Sequence, residues 1–195
     1  PLAKAFPTDI GVEVSSIGVQ VHGGMGFIEE TGAAALYRDS RIAPIYEGTN
    51  GIQAIDLVTR KLPLSGGETV KGYIAELRAD VEALRNSNAE GFGRTAQKVS
   101  AALDDVEAAT GHLLAALSGG RTEEALAGAT PYLRLFSLAA GGAYLVRGAL
   151  AGRDGGRVAL ARFFAENLID ETAALRSRVI EGADSLEAAA AALAL

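Results

Sequence analysis

Between Thr69 and Val179 apolar residues recur at three- and four-residue spacing in four long runs: 69–85, 95–117, 122–151 and 158–179. Only the short stretches "NSNAEGFG", "SGG" and "GRDGG" separate them. This spacing gathers the apolar side chains of each run on one helical face, and short loops between such runs predict an antiparallel four-helix bundle. No stretch alternates apolar and polar residues long enough to make a half-buried strand; "VEVSSIGVQV" comes nearest and fits helical spacing better. Alanine is abundant, tryptophan is absent and aromatics make up 6% of the chain, which favours closely packed helices over an aromatic-cored sandwich. The sequence therefore reads as all-α.

Upstream of the bundle the helical patterns are shorter. Thr8 and Asp9 are placed to cap a helix in which Ile10, Val14, Ile17 and Val21 share a face until Gly23 and Gly24 end it. Thr31 is placed to cap a second helix through "GAAALYRDSRI", with Ala35, Leu36 and Tyr37 inward, before Pro44. Thr49 or Asn50 caps a third, "GIQAIDLVTRKL", with Ile52, Ile55 and Val58 or Leu62 on one face, closed by Pro63. "PLSGGE" combines a helix stop with a Gly-Gly hinge, so the expected division is 1–63 for the short helices and 64–195 for the bundle. Within the bundle, Thr130 is expected to cap a helix that starts at Pro131.

The net charge of -6 argues against nucleic acid as a partner, because a phosphate backbone is gripped by clustered cations. There is no cysteine, and the two histidines, His22 and His112, lie far apart, so no disulfide and no metal site is expected. The most apolar run, "LFSLAAGGAYLV", is closed by Arg134 and Arg147 and falls short of the ~20 residues that span a bilayer, so a buried helix and no membrane span are expected. "PLAKAFPTDIG" opens the chain without an initiator Met and without a secretory signal, as a piece of a longer cytoplasmic protein would.

Two motifs carry chemistry. "HGGMGF" lacks the lysine and hydroxyl of a Walker loop and the preceding strand of a dinucleotide fingerprint. It reads as a helix-ending turn, or as bare backbone that lets a diphosphate approach closely. In "RIAPIYEGTNGIQ", Glu47 stands between an aromatic and a glycine. Two readings stay open on residues alone: a solvated loop carboxylate, or a general base whose desolvation at an apolar rim raises its pKa toward neutrality. "YRDSR" reads as a salt-bridged helix face, His112 as surface or partly buried, and Arg162, Phe163 and Phe164 as core and rim.

Taken together, "VQVHGGMGF", "YRDSRIAPIYEGTNGIQ" and the distance between them resemble the C-terminal helical domain of the acyl-CoA dehydrogenases. The extension beyond Pro63 resembles the additional helical domain of a subgroup that includes 3-methylmercaptopropionyl-CoA dehydrogenase-like members. The resemblance implies an FAD-dependent oxidoreductase that forms an α,β double bond in an acyl-CoA thioester. It makes Glu47 the catalytic base and sets Gly48 beside the thioester. It places Thr49, Asn50 and Gly51 against FAD, and Gln20, Val21, His22, Gly23 and Gly24 against the FAD of a neighbouring subunit. It further implies an electron-transfer flavoprotein or similar acceptor and a homo-oligomer, dimer or tetramer. This chain lacks the other domains that build the flavin pocket, so by itself it is expected to be inert. Two rivals are a non-catalytic helical interaction module and a flavoprotein relative acting on another substrate class.

Overall fold

A computed structural model describes residues 1–87, 89–152 and 154–193; Asn88 and Arg153, inside two of the expected connections, lie outside the described residues. Among the described residues every regular element is helical. The bundle consists of α5 (Glu68–Asn86), α6 (Thr95–Ser118), α8 (Ala129–Gly152) and a fourth arm made of α9 (Gly155–Asn167) and α10 (Glu171–Leu193). Side-chain pairs set the directions. Arg78 bonds Asp104 and Glu107 across α5 and α6, Thr110 bonds Tyr132 across α6 and α8, and Arg134 bonds Glu171 across α8 and α10. Second contacts, Gly67 against Leu114, Gly142 against Val99 and Gly128 against Val179, give each interface its direction, so successive arms run up, down, up and down.

Two of the expected bundle helices are divided. The 122–151 run becomes a short α7 (Thr122–Ala127), Gly128, and then α8, which starts at Ala129; Thr130 and Pro131 thus lie inside its first turn, with Thr130 not at the cap. The reason is space: a Cβ on Gly128 would sit 3.2 Å from Val179 Cγ1, so the chain turns here against α10. The 158–179 run breaks at Leu168–Asp170, which turns Ile169 into the core while Asp170 takes the Lys98 ammonium at 2.6 Å. Phe163 on α9 is 57% exposed, on the rim, while Phe164 packs against the core.

Helix α8 is the bundle's centre. Its Tyr132, Leu135, Phe136, Ala139 and Ala143 are all buried, and a Cβ on Gly142 would lie 2.8 Å from Ile169 and 3.2 Å from Val99. The predicted twelve-residue apolar run is thus part of a 24-residue helix, long and apolar enough to cross a membrane, with 56% of its apolar window buried inside the molecule. Arg134 and Arg147 do not close it. They leave it sideways, to Glu171 and to Glu76 and Asp80.

The N-terminal helices pack on one side of this body. Helix α1 (Leu2–Val21) starts six residues before the expected cap and carries Pro7 in its second turn. Thr8 does not cap; its hydroxyl donates back to the carbonyls of Lys4 and Ala5. Burial decides the earlier start, since Ala5 is fully enclosed and Leu2 and Phe6 pack against the core. After α2 (Gly24–Phe27) and a 3₁₀ turn (Glu29–Thr31) comes α3 (Ala33–Ser40), whose N-cap is Gly32, not Thr31. Helix α4 (Asn50–Asp56) continues into a π turn (Leu57–Lys61). The wider turn puts Leu57, Val58 and Leu62 into the same apolar cluster as Leu77, Leu103 and Tyr132, so one continuous core crosses Pro63.

Leu36, expected to face inward, does not, and several residues that share a helical face on α1 and α4 are exposed with it. Val14, Ile17 and Val21 on α1, Leu36 on α3, and Ile52 and Ile55 on α4 are all more than two-fifths exposed. Their helical periodicity is real, but no element among the described residues covers that side.

Candidate functional site

The loop between α3 and α4 carries Glu47. From Ile42 to Tyr46 it is a series of turns around the buried Pro44. Then two residues in succession take positive φ, Glu47 at 55° and Gly48 at 81°. Glycine tolerates this freely, whereas for a glutamate the left-handed region costs about 1–2 kcal/mol. Among the described residues only Glu47 and Ser65 are non-glycine residues with positive φ. Strain of this kind persists only where the surroundings over-determine it.

The surroundings are specific. Gln53 Nε2 donates to the Glu47 carbonyl at 3.2 Å, and Asn50 N donates to the Pro44 carbonyl at 3.0 Å. Thr49 Oγ1 accepts from Ile52 N and caps α4, as its position in the sequence leads one to expect. Asn50 binds α1 through its whole amide. Nδ2 lies 3.0 Å from the Ala5 carbonyl, 2.9 Å from Thr8 Oγ1 and 2.7 Å from Asp9 Oδ1, while Oδ1 accepts from Lys4 Nζ at 2.8 Å. Lys4 also donates to the Gly48 carbonyl at 2.9 Å. The Glu47 carboxylate has no hydrogen-bond or ion-pair partner among the described residues; its main chain is held and its side chain is exposed.

The second cluster lies at the other end of α1. Gln20 and Val21 end that helix, exposed, and His22 follows with Nδ1 2.9 Å from the Gly18 carbonyl. Gly23 takes φ 59° and ψ -143°, a conformation open to glycine, and Gly24 begins α2. No heavy atom lies within 4 Å of a Cβ built on Gly23 or Gly24, so the pair forms an open shelf of bare backbone. Met25 and Phe27 flank it, 59% and 82% exposed. The loop cluster contacts α1 at Lys4 to Asp9; twelve residues separate Asp9 from Val21, which at 1.5 Å per residue is about 18 Å. Within one chain the two clusters do not form one pocket.

A cleft of about 420 Å³ opens on the bundle side of Asn50 and Gly51, lined also by Asp9, Thr130, Arg134 and Arg178. The extension thus reaches the edge of the α4 motif.

Residues 73–190 match the family described as "Acetyl-CoA dehydrogenase C-terminal like", and residues 1–62 match "Acyl-CoA dehydrogenase, C-terminal domain". The chain belongs to the acyl-CoA dehydrogenase family. It is 43% identical over 197 residues to 3-methylmercaptopropionyl-CoA dehydrogenase of Ruegeria pomeroyi, covering 95% of this chain and 33% of that protein. A butyryl-CoA dehydrogenase of Syntrophomonas wolfei is 43% identical over 77 residues, 40% of this chain and 13% of the relative. The caffeyl-CoA reductase-Etf complex subunit CarC of Acetobacterium woodii is 42% identical over 52 residues, 27% of this chain and 14% of the relative. The chain spans about a third of the length of the first of these relatives and less of the others.

Members of this family are flavoproteins, and the residues present fit a flavin nucleotide at two places. The shelf at Gly23 and Gly24 offers main chain with nothing above it, where a Cβ would stand between backbone and cofactor. The first turn of α4 offers Thr49, Asn50 and Gly51; with the Asn50 amide committed to α1, its contact to a ligand would come from its main chain. Residue reasoning missed Lys4 and the part played by Gln53. The available signal was the one-turn spacing of Lys4 and Thr8 on a face that also carries Asp9.

Proposed function

We propose that this chain is the C-terminal part of an FAD-dependent acyl-CoA dehydrogenase in which Glu47 removes the α-proton of an acyl-CoA thioester. The observation that carries this reading is Glu47 itself: a carboxylate with no partner among the described residues, on a backbone held at positive φ by Gln53 and its neighbours. A base must be free to meet a substrate proton yet fixed in direction, and this arrangement supplies both. Bound FAD supplies the acceptor for the β-hydride. Glu47 takes the proton, its backbone N–H faces the thioester carbonyl where enolate charge develops, and Gly48 leaves room for the thioester beside it.

The apolar face over α1, α3 and α4 supports a larger assembly in which other domains or a second subunit cover it. The separation of the two clusters supports an oligomer in which the shelf from Gln20 to Gly24 serves the FAD of a neighbouring subunit. Residues 1–63 complete the dehydrogenase domain, and 64–195 form the additional helical part. An electron-transfer flavoprotein is the proposed acceptor, consistent with the Etf-complex relative.

Anaerobic titration of the flavin-loaded full-length protein with a panel of acyl-CoA thioesters tests this. The high similarity to the Ruegeria pomeroyi protein makes 3-methylmercaptopropionyl-CoA the first member of the panel. Bleaching of the flavin absorbance by at least one thioester is the expected result, and a flavin that no thioester reduces removes the assignment.

A further inference from the structure

Beyond the bonds that Ile45 N and Tyr46 N give the Ile42 carbonyl, the turn that carries Glu47 has three hydrogen bonds to its main chain, and two of them come from its own neighbourhood, Gln53 to the Glu47 carbonyl and Asn50 N to the Pro44 carbonyl. The third comes from elsewhere in the chain, the Lys4 ammonium on the Gly48 carbonyl at 2.9 Å. The same ammonium donates to Asn50 Oδ1 at 2.8 Å. It therefore joins the carbonyl that follows the strained pair to the side chain that locks α4 onto α1. A lysine suits this place because one nitrogen carries several donors and its charge strengthens each bond to a carbonyl or amide oxygen. Asn50 Nδ2 is already taken by Ala5, Thr8 and Asp9, so the Lys4 bond to Oδ1 also orients that amide.

We propose that Lys4 is a positioning residue for the base: through Gly48 and Asn50 it fixes the left-handed turn that aims Glu47. Lys4 acts through the turn and not on the substrate, and the inference rests on the reading of Glu47 as the base. A loop freed at Gly48 would let the Glu47–Gly48 pair relax out of positive φ, and a misplacement of about 1 Å costs on the order of a hundred-fold in rate.

The test uses the full-length, FAD-loaded enzyme with K4M, which keeps the aliphatic stem, and K4R, which keeps a cationic donor. At saturating thioester, K4M is expected to bleach its flavin about ten- to a hundred-fold more slowly, with thioester Kd and flavin occupancy within about two-fold of the parent. Amide hydrogen exchange across residues 45–49 speeds up, and K4R recovers most of the rate. A K4M bleaching rate within about two-fold of the parent overturns the proposal, as does unchanged exchange across the turn. Should K4M not fold, K4Q carries the same expectation and the same refutation. The two readings separate in E47Q: if that variant bleaches at full rate the base assignment fails, and faster exchange in K4M then still shows whether Lys4 holds the turn.

Discussion

Gln53 Nε2 stands 3.2 Å from the main-chain carbonyl of Glu47, to which it donates, and a Cβ built on Gly48 would lie 3.2 Å from the same nitrogen. One side-chain amide thus secures the first residue of the strained pair and fills the space that a larger second residue would need. The turn is specified from both sides: by the hydrogen bond that Glu47 accepts and by the side chain that Gly48 lacks.

Glu47→Gln keeps the shape and the backbone bonds of the turn and removes the proton acceptor. Flavin reduction by a thioester substrate should fall about 10³-fold, within the usual range for losing a general base, while flavin occupancy stays at the parent level. Stopped-flow bleaching under anaerobic conditions measures it, and full activity in this variant would remove Glu47 from the mechanism.

Gly48→Ala meets both a positive φ of 81° and the Gln53 amide at 3.2 Å. Turnover should drop ten-fold or more, at a stability cost of about 1–2 kcal/mol. Chemical denaturation and steady-state kinetics on the same preparation read both effects.

Replacing Gly23 and Gly24 together by valine covers the open shelf. The prediction is enzyme that purifies with little flavin, and a thermal midpoint lower by several degrees, because φ 59° with ψ -143° suits glycine and costs other residues about 1–3 kcal/mol. The ratio of flavin to protein absorbance gives the answer, and undiminished flavin would favour a helical module without chemistry.

Tyr132 is fully buried with its hydroxyl 2.7 Å from Thr110 Oγ1, and burial raises its pKa well above the ordinary phenol value. Below about pH 10 the phenol is neutral in both folded and unfolded chains, so stability does not depend on it. Above about pH 10 the unfolded chain ionises first, so stability declines by about 1.4 kcal/mol per pH unit until the folded value is reached. Tyr73, raised first by burial and then by its bond to Tyr144, adds to the same limb. Urea unfolding between about pH 9 and 11.5 should show a shallower decline in Tyr132→Phe, at a cost near neutrality of about 1 kcal/mol.

Asp105 on α6 is held by Thr172 Oγ1 at 2.9 Å and Arg176 Nη1 at 3.0 Å, and its side chain is 10% exposed. Arg176→Met leaves this carboxylate with one partner. The expected loss is about 2 kcal/mol, below that for a fully buried pair because Arg176 is 43% exposed. The exposed pair of Arg85 with Glu82 supplies the control, where Arg85→Met should change stability by less than about 0.5 kcal/mol.

The bundle was readable because each of its arms buries a face of its own. Ile74, Leu77, Val81 and Leu84 on α5, and Val99, Leu103 and Val106 on α6, recur at helical spacing and are buried where the spacing puts them. The N-terminal part misled for the opposite reason. Val14, Ile17, Leu36, Ile52 and Ile55 repeat as regularly, yet they stay exposed because no element among the described residues packs over them. Local propensity also gave way to packing at the helix ends, where the pull of Leu2, Ala5 and Phe6 toward the core carried α1 past Thr8 and through Pro7.

By itself, the order of residues determined the helical class, the four arms of the bundle, the choice of Thr49 or Asn50 as the cap of α4, and the two motifs that mark the family. Each of these depends on neighbours within a few positions, where covalent geometry sets what can touch. Only the tertiary structure decided that one core crosses Pro63, that Gln20–Gly24 and Glu47–Gly51 lie at opposite ends of α1, and that Lys4 holds Gly48 and Asn50. The last of these joins residues more than forty positions apart, and nothing in local spacing says which ammonium will meet which carbonyl until packing brings α1 and α4 together.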